Sequence, residues 1–254
     1  VAWQWKANGG TTASNTDGNG IDSVVQANTT AGFSIVTYTG NGTQSGQTVG
    51  HGLGAVPKVI ISKDRNASSN VPHWRVYHES IGNTKYLTLQ GTDAASTFND
   101  WDNTTPTSSV YSVGGAGGYT PTNTNNANYV AYVFAEKQGY SKFGKYVGNG
   151  NANGTFVYTG FKPAFVMIKD VSRATNWEMF DHKRNPSNVA NLKLGANLAV
   201  AENGSDLGTT SQNNIDMLSN GFKMRTGNTD TNVSGDTYIY MAFAENPFTT
   251  STGI

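Results

Sequence analysis

The sequence contains no cysteine. Disulfides, thiolate nucleophiles and zinc–thiolate centres are therefore excluded, and stability has to come from packing or association. Charge is scarce too: only 13% of the 254 residues are Asp, Glu, Lys or Arg, and they cancel to zero. A nucleic acid or an anionic membrane needs a surplus of Lys and Arg against its phosphates, so neither is expected as a partner. No apolar run has the length of a membrane-spanning helix, so no membrane insertion is expected, and no stretch has the pattern of a secretory leader. The chain opens at Val1 rather than Met, as expected of a polypeptide processed or cut from something longer. Long helical periodicity is also missing.

What is present is Gly, at 30 residues, with Asn, Thr and Ser between short apolar runs. That is the composition of many short strands joined by polar turns. The runs come in pairs. Tyr129-Val-Ala-Tyr-Val-Phe-Ala-Glu136 returns as Tyr238-Ile-Tyr-Met-Ala-Phe-Ala-Glu245. Tyr38 with Gly40-Asn-Gly42 returns as Tyr146 with Gly148-Asn-Gly150. A Gly-X-X-Pro entry, Gly54 to Pro57, then a strand ending at Lys63, returns as Gly160 to Pro163 and a strand ending at Lys169; the Trp74 strand returns as the Trp177 strand. These landmarks keep their order and a nearly constant offset, so the chain reads as one fold written twice.

Short strands with Gly-rich turns point to an all-β protein of two tandem, internally duplicated, jelly-roll-like β-sandwiches. Residues 1–31 are expected to be an N-terminal strand and linker, the end of a preceding unit. Residues 32–139 and 140–248 form the two repeats, and 249–254 a tail. The paired aromatic strands are expected to close each unit, buried on both faces. Ile215–Gly221 reads as a helical turn capped by Gly. Asn15–Gly20 reads as a plain turn, because it lacks the spaced carboxylates of a calcium loop.

Chemistry is less legible. No nucleophile elbow, phosphate loop or dinucleotide fingerprint is present, so no cofactor is expected. His73 and His78 fall on opposite faces of a strand, which is poor for a shared metal. Glu136 and Glu245 sit at equivalent ends of the two closing strands and are expected to cap or pair locally in each copy rather than face each other across a cleft as a glycosidase pair, so no catalytic residue is nominated. Sugar binding needs flat aromatic faces and planar polar groups, and the sequence has candidates. Trp101, unrepeated in a polar loop, is expected to be exposed, with Asp102 beside it. Asp64 and Arg65 follow the first Lys strand, and Arg173 follows the second. His182 and Arg184 follow the second Trp strand. Trp74 and Trp177, repeated in mid-strand, are expected to be core.

The motif set as a whole is similar to an uncharacterised tandem β domain of tailed-bacteriophage tail and fibre-like structural proteins. The residues that carry the likeness are Tyr-X-Gly-Asn-Gly, the Pro-to-Lys strands, the Trp strands, Leu218-Ser-Asn-Gly-Phe-Lys223 and the Phe-Ala-Glu endings. In such proteins the domain often follows a concanavalin-like lectin domain ending in Trp-X-Trp-Lys, which Val1-Ala-Trp-Gln-Trp-Lys6 resembles. The resemblance implies a non-catalytic virion module of a tail appendage, extracellular after release. Its implied partners are other virion proteins and copies of itself, with a trimer favoured, and it would contact a host-surface glycan. The other readings are a free-standing lectin-like carbohydrate-binding module and a glycan-degrading enzyme.

Overall fold

The computed structural model describes residues 4–66, 73–202, 214–227 and 230–248. It is all-β and forms two compact bodies. The first comprises the chain up to Leu89 together with Ala95–Glu136; the second comprises Gln90–Ala94 and the chain from Lys137 onward. The break thus falls three residues before the expected one, and a short loop from the first repeat belongs to the second body.

The first body carries β1 (Ala13–Asn15), β2 (Gly20–Ile21), β3 (Ser23–Asn28), β4 (Phe33–Thr39), β5 (Gln47–Gly50), β6 (Val59–Asp64), β7 (Arg75–His78), β8 (Lys85–Thr88), β9 (Ser96–Thr97), β10 (Val110–Val113) and β11 (Asn128–Phe134). The second carries β12 (Ser141–Val147), β13 (Phe156–Tyr158), β14 (Pro163–Asp170), β15 (Glu178–Asp181), β16 (Lys193–Gly195), β17 (Ile215–Leu218), β18 (Gly221–Met224) and β19 (Thr237–Ala244). Each body is a sandwich of a large sheet on a three-stranded one. The large sheets run β1-β3-β4-β11-β6-β7-β8-β9 and β12-β19-β14-β15-β16; the small ones run β10-β5-β2 and β13-β18-β17.

Five strands of the first large sheet repeat in the same spatial order in the second. The register repeats as well: Tyr129 lies opposite Tyr38 and Asp64, as Tyr238 lies opposite Tyr146 and Asp170. The aromatic strand is last in each repeat but central in its sheet, between the first and third strands. Long strands with no polar alternation are what a position buried on both faces requires, and the residues of β19 from Tyr238 to Ala244 are all buried. Val36, Ile60, Tyr77, Tyr111, Val113 and Ala131 join the two layers of the first body; Val157, Val166, Phe180, Ile215, Phe222 and Tyr240 do so in the second.

The Tyr-X-Gly-Asn-Gly motif is a clamp. Tyr38 stacks on Tyr129 at 4.8 Å and Tyr146 on Tyr238 at 5.0 Å. Tyr38 Oη donates to Thr122 O (2.7 Å) and Tyr146 Oη to Thr231 O (2.6 Å). Fully buried Asn123 and Asn232 accept the backbone N–H of Asn41 and Asn149 and donate back to those side chains. Gly40 and Gly148 are required because a Cβ would strike the carbonyls of Thr124 and Val233.

Two expectations are corrected. Residues 8–31 are not a linker: they contain β1–β3, and β3 pairs along the whole of β4. The segment from Trp5 to Ala7 forms no strand, although Trp5 packs edge-on against Phe134 at 6.1 Å. Ile215–Leu218 is a strand rather than a helical turn. Its alternate residues Ile215 and Met217 enter the core, and Ser219-Asn220 make a hairpin into β18. The expected tail, 249–254, lies outside the described residues.

Candidate functional site

β1 and β3 form an antiparallel pair at the edge of the first large sheet, a feature without a counterpart among the described residues of the second body. Between that pair, β4, β11 and the residue following β6 lies an open cleft of about 450 Å³. Its walls are hydroxyls from Ser14, Thr16, Thr37 and Thr39, the Asn128 amide, and the oppositely charged Asp22 and Arg65. Tyr38 and Tyr129 contribute to its lining as well, while their rings belong to the core. Thr39 Oγ1 donates to Asn128 Oδ1 at 3.0 Å. Arg65 and Asp22 are both exposed. The Arg65 backbone N–H is tied to Asn128 O at 2.7 Å, so the ladder fixes the base of this side chain while its head stays in solvent. The cleft thus sets fixed donors and acceptors beside an apolar share of its lining that includes the exposed Val24, a mixture that can take the hydroxyls and the C–H faces of a polyhydroxylated ligand.

Of the residues the sequence nominated, Arg65 lines this cleft. Asp64 ends β6 beside it, but its Oδ1 accepts the Asn66 N–H at 2.8 Å in a local turn. Trp101 is a correction: it is 1% exposed and packs edge-on against Tyr77 at 5.7 Å. The tight turn at Asn99–Asp102, with Asp102 at φ 48°, tucks the indole into the core. Asp102 itself accepts the Gly46 N–H at 2.6 Å. In the second body Arg173 pairs with Asp236 at 2.5 Å, past the end of β14. His182 lies 3.3 Å from Glu245, near the start of β14, and Arg184 is held by Asp181 (2.5 Å) and Glu202 (2.6 Å). These three stand at opposite ends of one sheet and do not converge. Trp177 is core, as expected, at 2% exposure; Trp74 is half-buried, stacked on Tyr132 at 6.1 Å with Lys63 over its face.

Sequence reasoning missed a second set of groups. At one equivalent position in each sandwich stands a buried charge, of opposite sign in the two, and each is met by a partner from a different place in the fold. Arg75 on β7 faces Asp100 at 3.5 Å, while Glu178, its counterpart on β15, faces Lys193 at 3.6 Å. The Arg75 guanidinium stacks 4.0 Å from the Tyr86 ring and donates to Tyr119 Oη at 3.2 Å. Burial raises Asp100 to about 6 against the opposing pull of Arg75, and raises Glu178 to about 7 against Lys193. Lys169, also fully buried, is lowered to about 8 by burial; its ammonium donates to the carbonyls of Asp170 (2.7 Å) and Thr92 (3.1 Å). The side chains of Asp100, Glu178 and Lys193 are 0% exposed, so these groups are enclosed in the packing and reach no cleft. Among the described residues no three His, Asp or Glu side chains are placed to share a metal ion.

A family described as a domain of unknown function, DUF7483, matches residues 1–247, and the chain belongs to it. No curated protein and no solved structure matches the chain.

Proposed function

We propose that this member of the family is a non-catalytic structural module of a phage tail appendage, a fibre or receptor-binding part, that contacts host-surface glycan. The observation that carries the reading is the first-body cleft, whose hydroxyls, amide and opposite charges suit a sugar's ring of donors and acceptors. The low share of charged residues and the absence of cysteine support a particle component kept soluble by amides and hydroxyls. Enclosure of the acid–base pairs favours adhesion over hydrolysis, since a polymeric substrate has to reach a catalytic carboxylate. In this reading the module works beside other virion proteins, as a homo-oligomer with a trimer favoured.

The test is a glycan array with the intact chain and an Arg65→Ala/Asn128→Ala variant. Binding to a host polysaccharide that falls about tenfold or more in the variant, as lost charge-assisted hydrogen bonds imply, supports the cleft. Binding unchanged by the variant removes the cleft from the reading. Release of reducing sugar from that polysaccharide would overturn the non-catalytic assignment, and failure of the chain to associate with virions would leave a free lectin-like module instead.

A further inference from the structure

The outer face of the small sheet differs between the two bodies. In the first body the chain's own N-terminal segment reaches it. The Asn19 N–H donates to Thr48 Oγ1 at 2.6 Å, and the Asn15 carboxamide takes the space where a side chain at Gly50 would stand. Matching Val49–Tyr111 to Val157–Phe222 puts Phe156 and Tyr158 of β13 where Thr48 and Gly50 stand. Two small residues beneath a polar segment are thus replaced by two large rings.

Those rings are open to solvent. Phe156 is 44% exposed and Tyr158 64%, while Val157 between them enters the core. Two positions apart on one strand, they stand on the same face, roughly 7 Å from each other. The face continues across β18 and β17 in two rows, Phe156–Lys223–Asp216 and Tyr158–Gly221–Leu218. Gly221 leaves the second row without a side chain at its middle. The edge of the Phe156 ring fills part of that gap, 3.1 Å from where a Cβ on Gly221 would be. The border of this platform is polar and held in place. Lys223 Nζ donates to Asn153 Oδ1 at 2.6 Å, and Asp216 pairs with Arg225 at 3.4 Å.

We infer that this platform is a second carbohydrate-binding site, for a neutral glycan. The C–H faces of sugar rings lie on Phe156 and Tyr158, while hydroxyls at the ring edges accept from the remaining Lys223 N–H groups and donate to Asp216. Size decides against a protein as the occupant. The exposed parts of the two rings come to roughly 200 Å², against about 800 Å² that each partner gives to a stable protein interface. With aromatic faces at its centre and each border charge already engaged, the platform selects by C–H stacking rather than by charge, which sets neutral sugars as the class. The site does not depend on the first-body cleft, since every residue named for it belongs to the second body.

The probe is an array of glucose, mannose and galactose oligosaccharides beside uronate-containing ones. It is read with the intact chain carrying Arg65→Ala/Asn128→Ala, so that the cleft does not contribute. Binding to at least one neutral oligosaccharide is expected, and adding Phe156→Ala/Tyr158→Ala is expected to weaken it about tenfold or more. Phe156→Tyr/Tyr158→Phe keeps both rings and is expected to bind like its parent. Tyr158→Ala alone, at the more exposed position and checked for an unchanged melting temperature, is expected to lose binding in the same direction. The inference is overturned if no neutral oligosaccharide binds in this background, if binding survives the loss of both rings, or if only the uronate chains depend on them. It is equally overturned if sedimentation shows that losing the rings separates copies of the chain, which would make the platform a contact between copies. Loss of binding on Arg65→Ala/Asn128→Ala with the rings intact bears on the cleft, and ring-dependent binding in that background supports the platform whatever the cleft does.

Discussion

Trp101 shows how far a single position can mislead. Unrepeated and set among Asp, Asn and Thr, it has the sequence context of a surface contact, yet the turn at Asn99–Asp102 places its indole beneath Tyr77. Its role is packing. Trp101→Ala is expected to cost about 3–5 kcal/mol in chemical denaturation, the range for truncating a large buried aromatic, while glycan binding per folded molecule stays at the parent value. Asn123 and Asn232 err in the opposite direction. One Asn in an Asn-rich loop carries no signal, and only the repeat reveals that Thr-Asn stands at the same distance before Tyr129 and Tyr238. Asn232 is fully buried and donates to Asn149 Oδ1, Asn151 O and Thr226 O. Asn232→Ala strands these acceptors together with the Asn149 N–H. A loss of about 2–4 kcal/mol is expected from unsatisfied buried polar groups, read as a lower denaturation midpoint with an unchanged slope.

At the scale of the element, the duplication was legible because short runs of aromatic and branched residues survive in both copies, in the same order and at a nearly constant offset. Register survived with them, since a slip by one residue would turn Tyr129 or Tyr238 out of its stack. What was not legible were elements made by their neighbours. β1–β3 are rich in Asn, Ser and Gly and become strands because β4 and β5 offer them ladders. The cleft they build was invisible for the same reason, and of its lining only Arg65 was nominated. The repeat also makes a test of packing possible. Gly144 and Tyr240 together replace Val36 and Ala131, a small residue for a medium one and a large residue for a small one. Gly144→Val alone is expected to destabilise by driving the new side chain into the Tyr240 ring, and Tyr240→Ala alone by leaving a cavity of aromatic size. Combined, they recreate the first body's pair, so the double variant should be more stable than the sum of the singles predicts by about 1–3 kcal/mol. Additive losses in urea denaturation would show that the two positions do not share a space.

For the molecule as a whole, the reversed ion pairs give the two bodies separate responses to pH. Asp100 has a folded pKa of about 6, raised by burial from the 3.8 of an ordinary aspartate. Its partner Arg75 stays charged throughout. Between these two values the folded chain holds a proton the unfolded chain has released, so stability falls as pH rises. The contribution is fully present below about pH 4 and is gone above about pH 6. Glu178, raised to about 7 from 4.5, has the same sign over a window that ends later. Lys169 has the opposite sign: lowered to about 8 from 10.5, it adds stability as pH climbs above 8. Amide exchange resolved by body should therefore show the first body weakening from pH 4 to 6 and the second continuing to weaken toward pH 7. Asp100→Asn is expected to flatten the first response, by on the order of 2–3 kcal/mol across its window, and to leave the second untouched. If the variant shifts both bodies equally, the proton is not bound at Asp100 and the burial of that carboxylate has some other consequence. If neither body weakens over pH 4 to 7, the pairs stay ionised throughout, and their reversed polarity is tolerated because attraction within each pair outweighs the cost of burying it.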